Sequence, residues 1–185
     1  MQREVKFAGF GGQGILSAGK FLALAAMEEG KEVAWVPSYG PEMRGGTAYC
    51  TVVIADHPIG SPVVNSPSDL VAMNRPSLEK FEPDVKNGGF ILVNSSLIPD
   101  RVKRDDAIEV LVPANDIAIA NNNTRGANMV ALGAYVACSG VVKMESVLEM
   151  IPKAFARKPQ FIDGNLACIR EGAKIAKEML VEVLK

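Results

Sequence analysis

Hydrophobic and polar positions along this chain change period repeatedly, with short runs of strand length separated by longer stretches of helical spacing. Val5 to Ala8 reads as a short strand ahead of a glycine cluster. From Gln13 to Glu29 the positions Ile15, Gly19, Leu22 and Ala26 recur at helical intervals, and Lys20 is the only charge before Glu28, so this helix is expected to be covered on most sides. Glu32 to Ser38 reads as a second strand. Thr47 to Ala55, β-branched and apolar, reads as a buried third strand closed by the turn Asp56-His57-Pro58. A proline-bearing loop from Ile59 to Ser68 leads to a short strand, Asp69 to Met73. A helix opens at Asn74-Arg75-Pro76-Ser77 and runs to about Phe81, with proline where its missing N–H costs nothing.

Asn87-Gly88-Gly89 turns the chain into a strand from Phe90 to Asn94, and Ala107 to Val112 forms another that ends at Pro113. Helices follow over 114–120, 126–139 and 143–151. The last, expected over 165–184, carries Ile169, Ala173, Ala176, Leu180 and Val183 down one face and charges on the others. The early β-α-β alternation with buried-looking strands argues for an α/β sandwich with a mainly parallel central sheet and helices on both faces.

At 185 residues the chain is read as one domain, 1–185, long enough to bury a core. Its 48% hydrophobic and 22% charged content suits a globular protein. A net charge of −1 gives no electrostatic footprint for nucleic acid or an anionic membrane, so neither is expected as a partner. Met1-Gln2-Arg3-Glu4 lacks a signal-peptide pattern and no apolar run reaches the roughly 18 residues of a membrane span. A cytoplasmic location is the expectation.

Three cysteines, Cys50, Cys138 and Cys168, lie far apart among apolar neighbours, and the chain has one histidine. An iron–sulfur cluster or structural zinc needs about four such ligands, so no metal site is expected and the cysteines read as small buried hydrophobes. His57 sits in a turn, where it reads as solvated, and Asp105-Asp106 reads as a charged turn beside Arg101, Lys103 and Arg104. No nucleophile–base pair is visible, and no catalytic residue is assigned.

Two glycine-rich loops are the candidate chemistry. Gly9, Gly11 and Gly14 have the spacing G-x-G-x-x-G between a strand and a helix, with Gly12 and Gln13 among them. Such a loop lets an anion approach the backbone while the helix N-terminus aims its orphan N–H groups at it. The macrodipole contributes only about 0.3–1 kcal/mol, so the loop favours an anion without proving one. In a dinucleotide site an acidic residue at the end of the second strand receives the ribose hydroxyls. Here that strand ends in Pro37-Ser38, which counts against a nicotinamide or flavin dinucleotide. The plainer reading is a tight turn that lets the helix pack on the sheet. The second loop is Tyr39-Gly40-Pro41-Glu42-Met43-Arg44-Gly45-Gly46.

The first loop, Ala18-Gly19-Lys20 and the run Ser38 to Gly46 together closely resemble the γ subunit of the multi-subunit 2-oxoacid:ferredoxin oxidoreductases. The resemblance continues through Pro62, Asp69 to Met73 and Asn128 to Ala134, and so spans nearly the whole chain. It implies a Rossmann-like fold and a place in a complex that oxidatively decarboxylates a 2-oxoacid to acyl-coenzyme A, with electrons passed to ferredoxin. In that family thiamine diphosphate sits on α and β subunits, and iron–sulfur clusters on β and ferredoxin-like δ subunits. The chain would then carry no cofactor itself and assist assembly and coenzyme A binding. Pyruvate, 2-oxoglutarate and a branched-chain oxoacid such as ketoisovalerate all remain open as the substrate.

The residues expected to meet coenzyme A are Gly9, Gly11, Gly12, Gln13, Gly14, Tyr39, Glu42, Arg44, Gly45 and Gly46, with the Arg44 guanidinium and loop amides facing its phosphates. Against this stands local or intersubunit pairing of Glu42 and Arg44. Tyr39 and Met43 suit interface anchors. The polar run Asn121 to Asn128 precedes a very apolar helix and reads as a turn and N-cap. Two other classes stay open: a free-standing nucleotide-binding protein and a purely structural adaptor subunit.

Overall fold

A computed structural model describes residues 1–39 and 46–183. In chain order the elements are β1 (Gln2–Phe10), α1 (Ile15–Glu28), β2 (Glu32–Tyr39), β3 (Thr47–Ala55), β4 (Asp69–Ala72), α2 (Arg75–Phe81), β5 (Phe90–Asn94) and β6 (Ile108–Val112), then α3 (Ala114–Ala120), α4 (Ala127–Ser139), α5 (Met144–Ala154) and α6 (Ile162–Val183). The expected order is present. Several boundaries move: β1 spans Gln2–Phe10, α1 starts at Ile15 because Gly14 takes a left-handed conformation, α5 continues through Pro152 to Ala154, and α6 starts at Ile162, fed by a 3₁₀ turn at Pro159–Phe161.

The strands form one sheet in the order β2-β3-β1-β4-β5-β6. β1, β4, β5 and β6 are parallel, while β3 runs antiparallel to both of its neighbours. The mainly parallel expectation holds with one reversed strand inserted between β1 and β2. A short connection dictates this. Joining β2 to a parallel neighbour needs a crossover of about a dozen residues, and far fewer separate Tyr39 from Thr47.

Successive strand residues point to opposite faces, and the two faces have different cores. Val5 and Phe7 of β1, Cys50, Val52 and Ile54 of β3 and Val110 of β6 join the larger cluster under α1, α3, α4, α5 and α6. Ala8, Leu70, Ile91 and Val93 face a smaller cluster closed by Leu78 and Phe81 of α2 with Val85 and Ile98. Residues Ala127 to Val136 of α4 are all buried, and α4 packs against both the sheet and α6. Glycines permit the close crossing: a Cβ at Gly133 would stand 2.0 Å from the Ile169 carbonyl oxygen, and one at Gly172 2.0 Å from that of Val130.

At the N-terminal end of the parallel strands, Asp69 is fully buried and well satisfied. Arg3 donates to it twice, at 2.6 and 2.8 Å, and the Phe90 N–H and the Tyr135 hydroxyl each donate at 2.9 Å. Those donors offset the cost of burying the charge and tie β1, β4, β5 and α4 together. The opposite end of the sheet is left to the loops.

Candidate functional site

The loops gather where the parallel strands end. β1 delivers Phe10 to the glycine cluster, and the Gln13 side chain organises the turn into α1. Its Oε1 accepts from the Phe10 N–H at 2.7 Å and its Nε2 donates to the Met73 carbonyl, just past β4, at 3.1 Å. A Cβ at Gly9 would lie 2.6 Å from Gln13 Oε1 and 2.7 Å from Ile15 Cδ1, so a larger residue there would have to displace the glutamine side chain that shapes this turn. Gly14, at φ +73°, caps α1 without any side-chain hydrogen bond, so the first-turn N–H groups of a 14-residue helix have no side-chain cap among the described residues. The first helical bond runs from the Ala18 N–H to the Gly14 carbonyl.

The reversed strand brings the two ends of the second loop to the same place. Tyr39 pairs with Ala48, and Thr47 pairs with Phe10, so the β2–β3 connection leaves from the end of the sheet that carries Gly9 to Gly14. The Gly11 N–H donates to the Gly46 carbonyl at 2.9 Å, binding the two loops directly. Gly9, Gly11, Gly12, Gln13, Gly14, Tyr39 and Gly46 are thereby gathered at one edge; Glu42, Arg44 and Gly45 lie outside the described residues. The same strand order adds to the case against a dinucleotide. With β3 between them, the end of β2 lies two strand spacings from β1, about 10 Å, where the dinucleotide fold has adjacent strands.

β1 and β4 are neighbours whose connections depart to opposite sides, the kind of switch point at which open α/β sheets hold ligands. A cavity of about 150 Å³ lies there, lined by Gly12, Gln13, Met73, Asn115, Thr124 and Arg125 among others. A larger one, about 640 Å³, opens between α1, α4, the end of α5 and the start of α6. Thr124 and Arg125 line both.

The asparagine run behaves otherwise than an N-cap. Gly126 caps α4 with no side-chain bond, while the Asn121 side chain donates back to the Ile117 carbonyl and Asn122 adopts φ +53°, so the first part of the run terminates α3. Asn123 Nδ2 donates to Asn165 Oδ1 at 2.9 Å, and Asn128 Nδ2 donates to the Gly14 carbonyl at 3.1 Å. The Asn128 amide fastens α4 to the glycine loop, and the Asn123 amide fastens the α3–α4 connection to α6. Sequence spacing could not show it because the partners lie far along the chain. Arg125 does carry a signal in the sequence itself: a cation just before a helix N-terminus opposes the macrodipole, so it is not placed for helix stability.

The family profile for pyruvate ferredoxin/flavodoxin oxidoreductase matches residues 4–175. The chain belongs to this family. Among similar proteins, ketoisovalerate oxidoreductase subunit VorA of Methanothermobacter thermautotrophicus is 46% identical over 178 residues, covering 95% of this chain and 36% of its own length. The chain thus spans about a third of that relative. The 2-oxoglutarate synthase subunit KorC of Methanocaldococcus jannaschii is 36% identical and matched nearly end to end, over 97% of this chain and 96% of its own. The solved γ subunit of a keto/oxoacid ferredoxin oxidoreductase from Geobacter sulfurreducens superposes with a TM-score of 0.85 at 31% identity, covering 97% and 98% of the two chains.

Within this pyruvate ferredoxin/flavodoxin oxidoreductase domain the remaining candidate groups are placed as their local sequence suggested, with one exception. His57 is exposed, its Nδ1 3.2 Å from the Pro58 carbonyl, and Asp106 pairs with Arg104 at 2.6 Å. Cys50 and Cys168 are buried, but Cys138 is only half-buried near the end of α4. Burial pushes the Cys50 and Cys138 thiols up to about 12. Among the described residues no three His, Cys, Asp or Glu side chains are grouped to hold a metal, and no helix is long and apolar enough to cross a membrane.

Proposed function

We propose that the chain is the γ-type component of a cytoplasmic 2-oxoacid:ferredoxin oxidoreductase, and that its loop edge positions coenzyme A for the complex. The complex converts a 2-oxoacid to its acyl-coenzyme A and passes two electrons to ferredoxin. Thiamine diphosphate and iron–sulfur clusters on α, β and δ partner chains supply carbon–carbon cleavage and the electron path. This chain's own residues do the holding. The observation that carries the reading is the Gly11–Gly46 hydrogen bond, which sets Gly46, at the end of the second glycine-rich loop, beside a helix N-terminus that has no side-chain cap among the described residues. Amides and the Arg44 guanidinium are the donor types that polyphosphates select.

The oxoacid is not fixed by a γ chain alone: a Thermococcus kodakarensis relative, 34% identical, is named a subunit common to pyruvate and ketoisovalerate oxidoreductases. The 46% identity to a ketoisovalerate subunit makes a branched-chain oxoacid the first substrate to assay. The test is an anaerobic pull-down of the tagged chain, with the co-purifying material assayed for thiamine diphosphate, iron and oxoacid-dependent dye reduction. All three arriving together is the expected result, and a chain that comes out alone and colourless overturns the reading. In the intact complex Arg44→Ala should raise the KM for coenzyme A; an unchanged KM removes the loop from coenzyme A binding.

A further inference from the structure

We infer that the 640 Å³ cavity is a binding site for a purine nucleotide. It rests on the proposed function only for one possible source of that group, the adenosine end of coenzyme A. The chemistry comes from the cavity. Its size falls within the roughly 300–1,000 Å³ of small-molecule sites. One wall is a ladder of rings: Phe21 and Phe155 have centroids 5.9 Å apart, and Phe155 and Phe161 6.5 Å. Phe161 ends the ladder 45% exposed, which leaves part of an aromatic face open to the cavity mouth. Such a face is a stacking platform for a planar base.

Asn128 and Asn165 line the same cavity at 6% and 7% exposure. Each has one arm occupied, Asn128 Nδ2 on the Gly14 carbonyl and Asn165 Oδ1 by Asn123. Their other arms, an acceptor on Asn128 and a donor on Asn165, have no protein partner among the described residues. One acceptor and one donor complement a base edge that offers an amino group beside a ring nitrogen. Arg125 and Lys158 complete the lining, and neither forms an ion pair among the described residues. A hydrocarbon ligand would leave the carboxamides unsatisfied and both cations without a counterion. An inorganic anion would leave the rings bare. A nucleotide uses all of them, and because Arg125 also lines the small cavity at Gly12 and Gln13, its phosphates can reach toward the glycine-loop amides.

The test is calorimetric titration of the full chain with adenosine 5′-monophosphate, ribose 5-phosphate and coenzyme A as separate probes. Adenosine monophosphate should bind, ribose 5-phosphate at least tenfold more weakly, and Phe161→Ala and Lys158→Ala, both surface changes, should each weaken the nucleotide about tenfold while circular dichroism stays unchanged. Coenzyme A binding more tightly than adenosine monophosphate and competing with it identifies the acyl acceptor as the source. Equal affinities identify a free nucleotide. No binding of adenosine monophosphate at millimolar concentration, or binding that neither variant alters, overturns the inference. Nucleotide binding by a chain that captures no oxoacid-dependent activity leaves this site standing and removes the proposed function instead.

Discussion

The Asn128 carboxamide donates to the Gly14 carbonyl at 3.1 Å, so the first turn of α4 is fastened to the cap of α1 across 114 residues of sequence. A methyl group at Gly14 would stand 2.4 Å from Asn128 Nδ2, on a backbone at φ +73°. Gly14→Ala therefore meets two penalties, left-handed strain and overpacking, and should lower stability by roughly 2–4 kcal/mol. Adding Asn128→Ala relieves the clash and leaves the strain. Urea unfolding of the single and double variants separates the two; a double variant no better than Gly14→Ala alone would show that the contact is unimportant.

The α4–α6 crossing gives a sharper contrast. Gly172→Ala drives a Cβ into the Val130 carbonyl and must push two buried helices apart, which should cost about 3 kcal/mol. Gly30→Ala, at φ +74° with nothing within 4 Å, carries only the backbone term of about 1–2 kcal/mol. Thermal melts of the two variants should rank them in that order.

Glu4 predicts a pH dependence. Burial acts to raise its pKa, but Lys86, Ser68 and Gln2 donate to the carboxylate at 2.8, 2.6 and 2.8 Å and hold it below the usual carboxylate range. A depressed carboxyl contributes fully above its unfolded pKa, about 4.3, and loses that contribution as pH falls through the lower folded value. The stability gap between the native protein and Glu4→Gln should thus be widest near pH 6 and shrink on acidification. Urea midpoints from about pH 6 to about pH 3 check this, and a gap independent of pH would contradict it.

The thiols should be quiet. With Cys50 and Cys138 held up to about 12 and Cys168 raised by burial, almost no thiolate exists near neutral pH. Iodoacetamide at about pH 8 should modify Cys50 and Cys168 of the folded chain at least ~100-fold more slowly than in denaturant, with half-buried Cys138 the fastest of the three. Mass spectrometry over a time course reads all three, and rapid labelling of Cys50 would mean that the α1–β3 contact opens.

Much of the architecture is legible in the sequence because it depends on local pattern. The strand Thr47 to Ala55 and the helix Ala114 to Ala120 lie where period and punctuation put them. Pattern does not reveal direction and partnership. The reversal of β3 comes from the length of one connection, not from any property of its residues. The glycine that admits α1 to the sheet is Gly19, whose Cβ would stand 2.4 Å from Cys50 Sγ, yet on the sequence it is one small residue among several in a helix. The asparagines read as a cap because that is their local habit, and only the tertiary structure shows two of them reaching across, Asn128 to Gly14 and Asn123 to Asn165. The cavity wall is hidden from the sequence for a related reason: Phe21, Asn128 and Phe161 are remote along the chain and share no spacing.

A reversed strand also changes how this fold can vary. Register on either side of the β2–β3 connection is held by Tyr39 against Ala48 and Phe10 against Thr47, so the number of residues between them is under no constraint from the sheet. A hairpin tip tolerates insertion where a crossover would not. The β2–β3 connection is therefore a stretch that this scaffold can lengthen or rewrite without repacking its core.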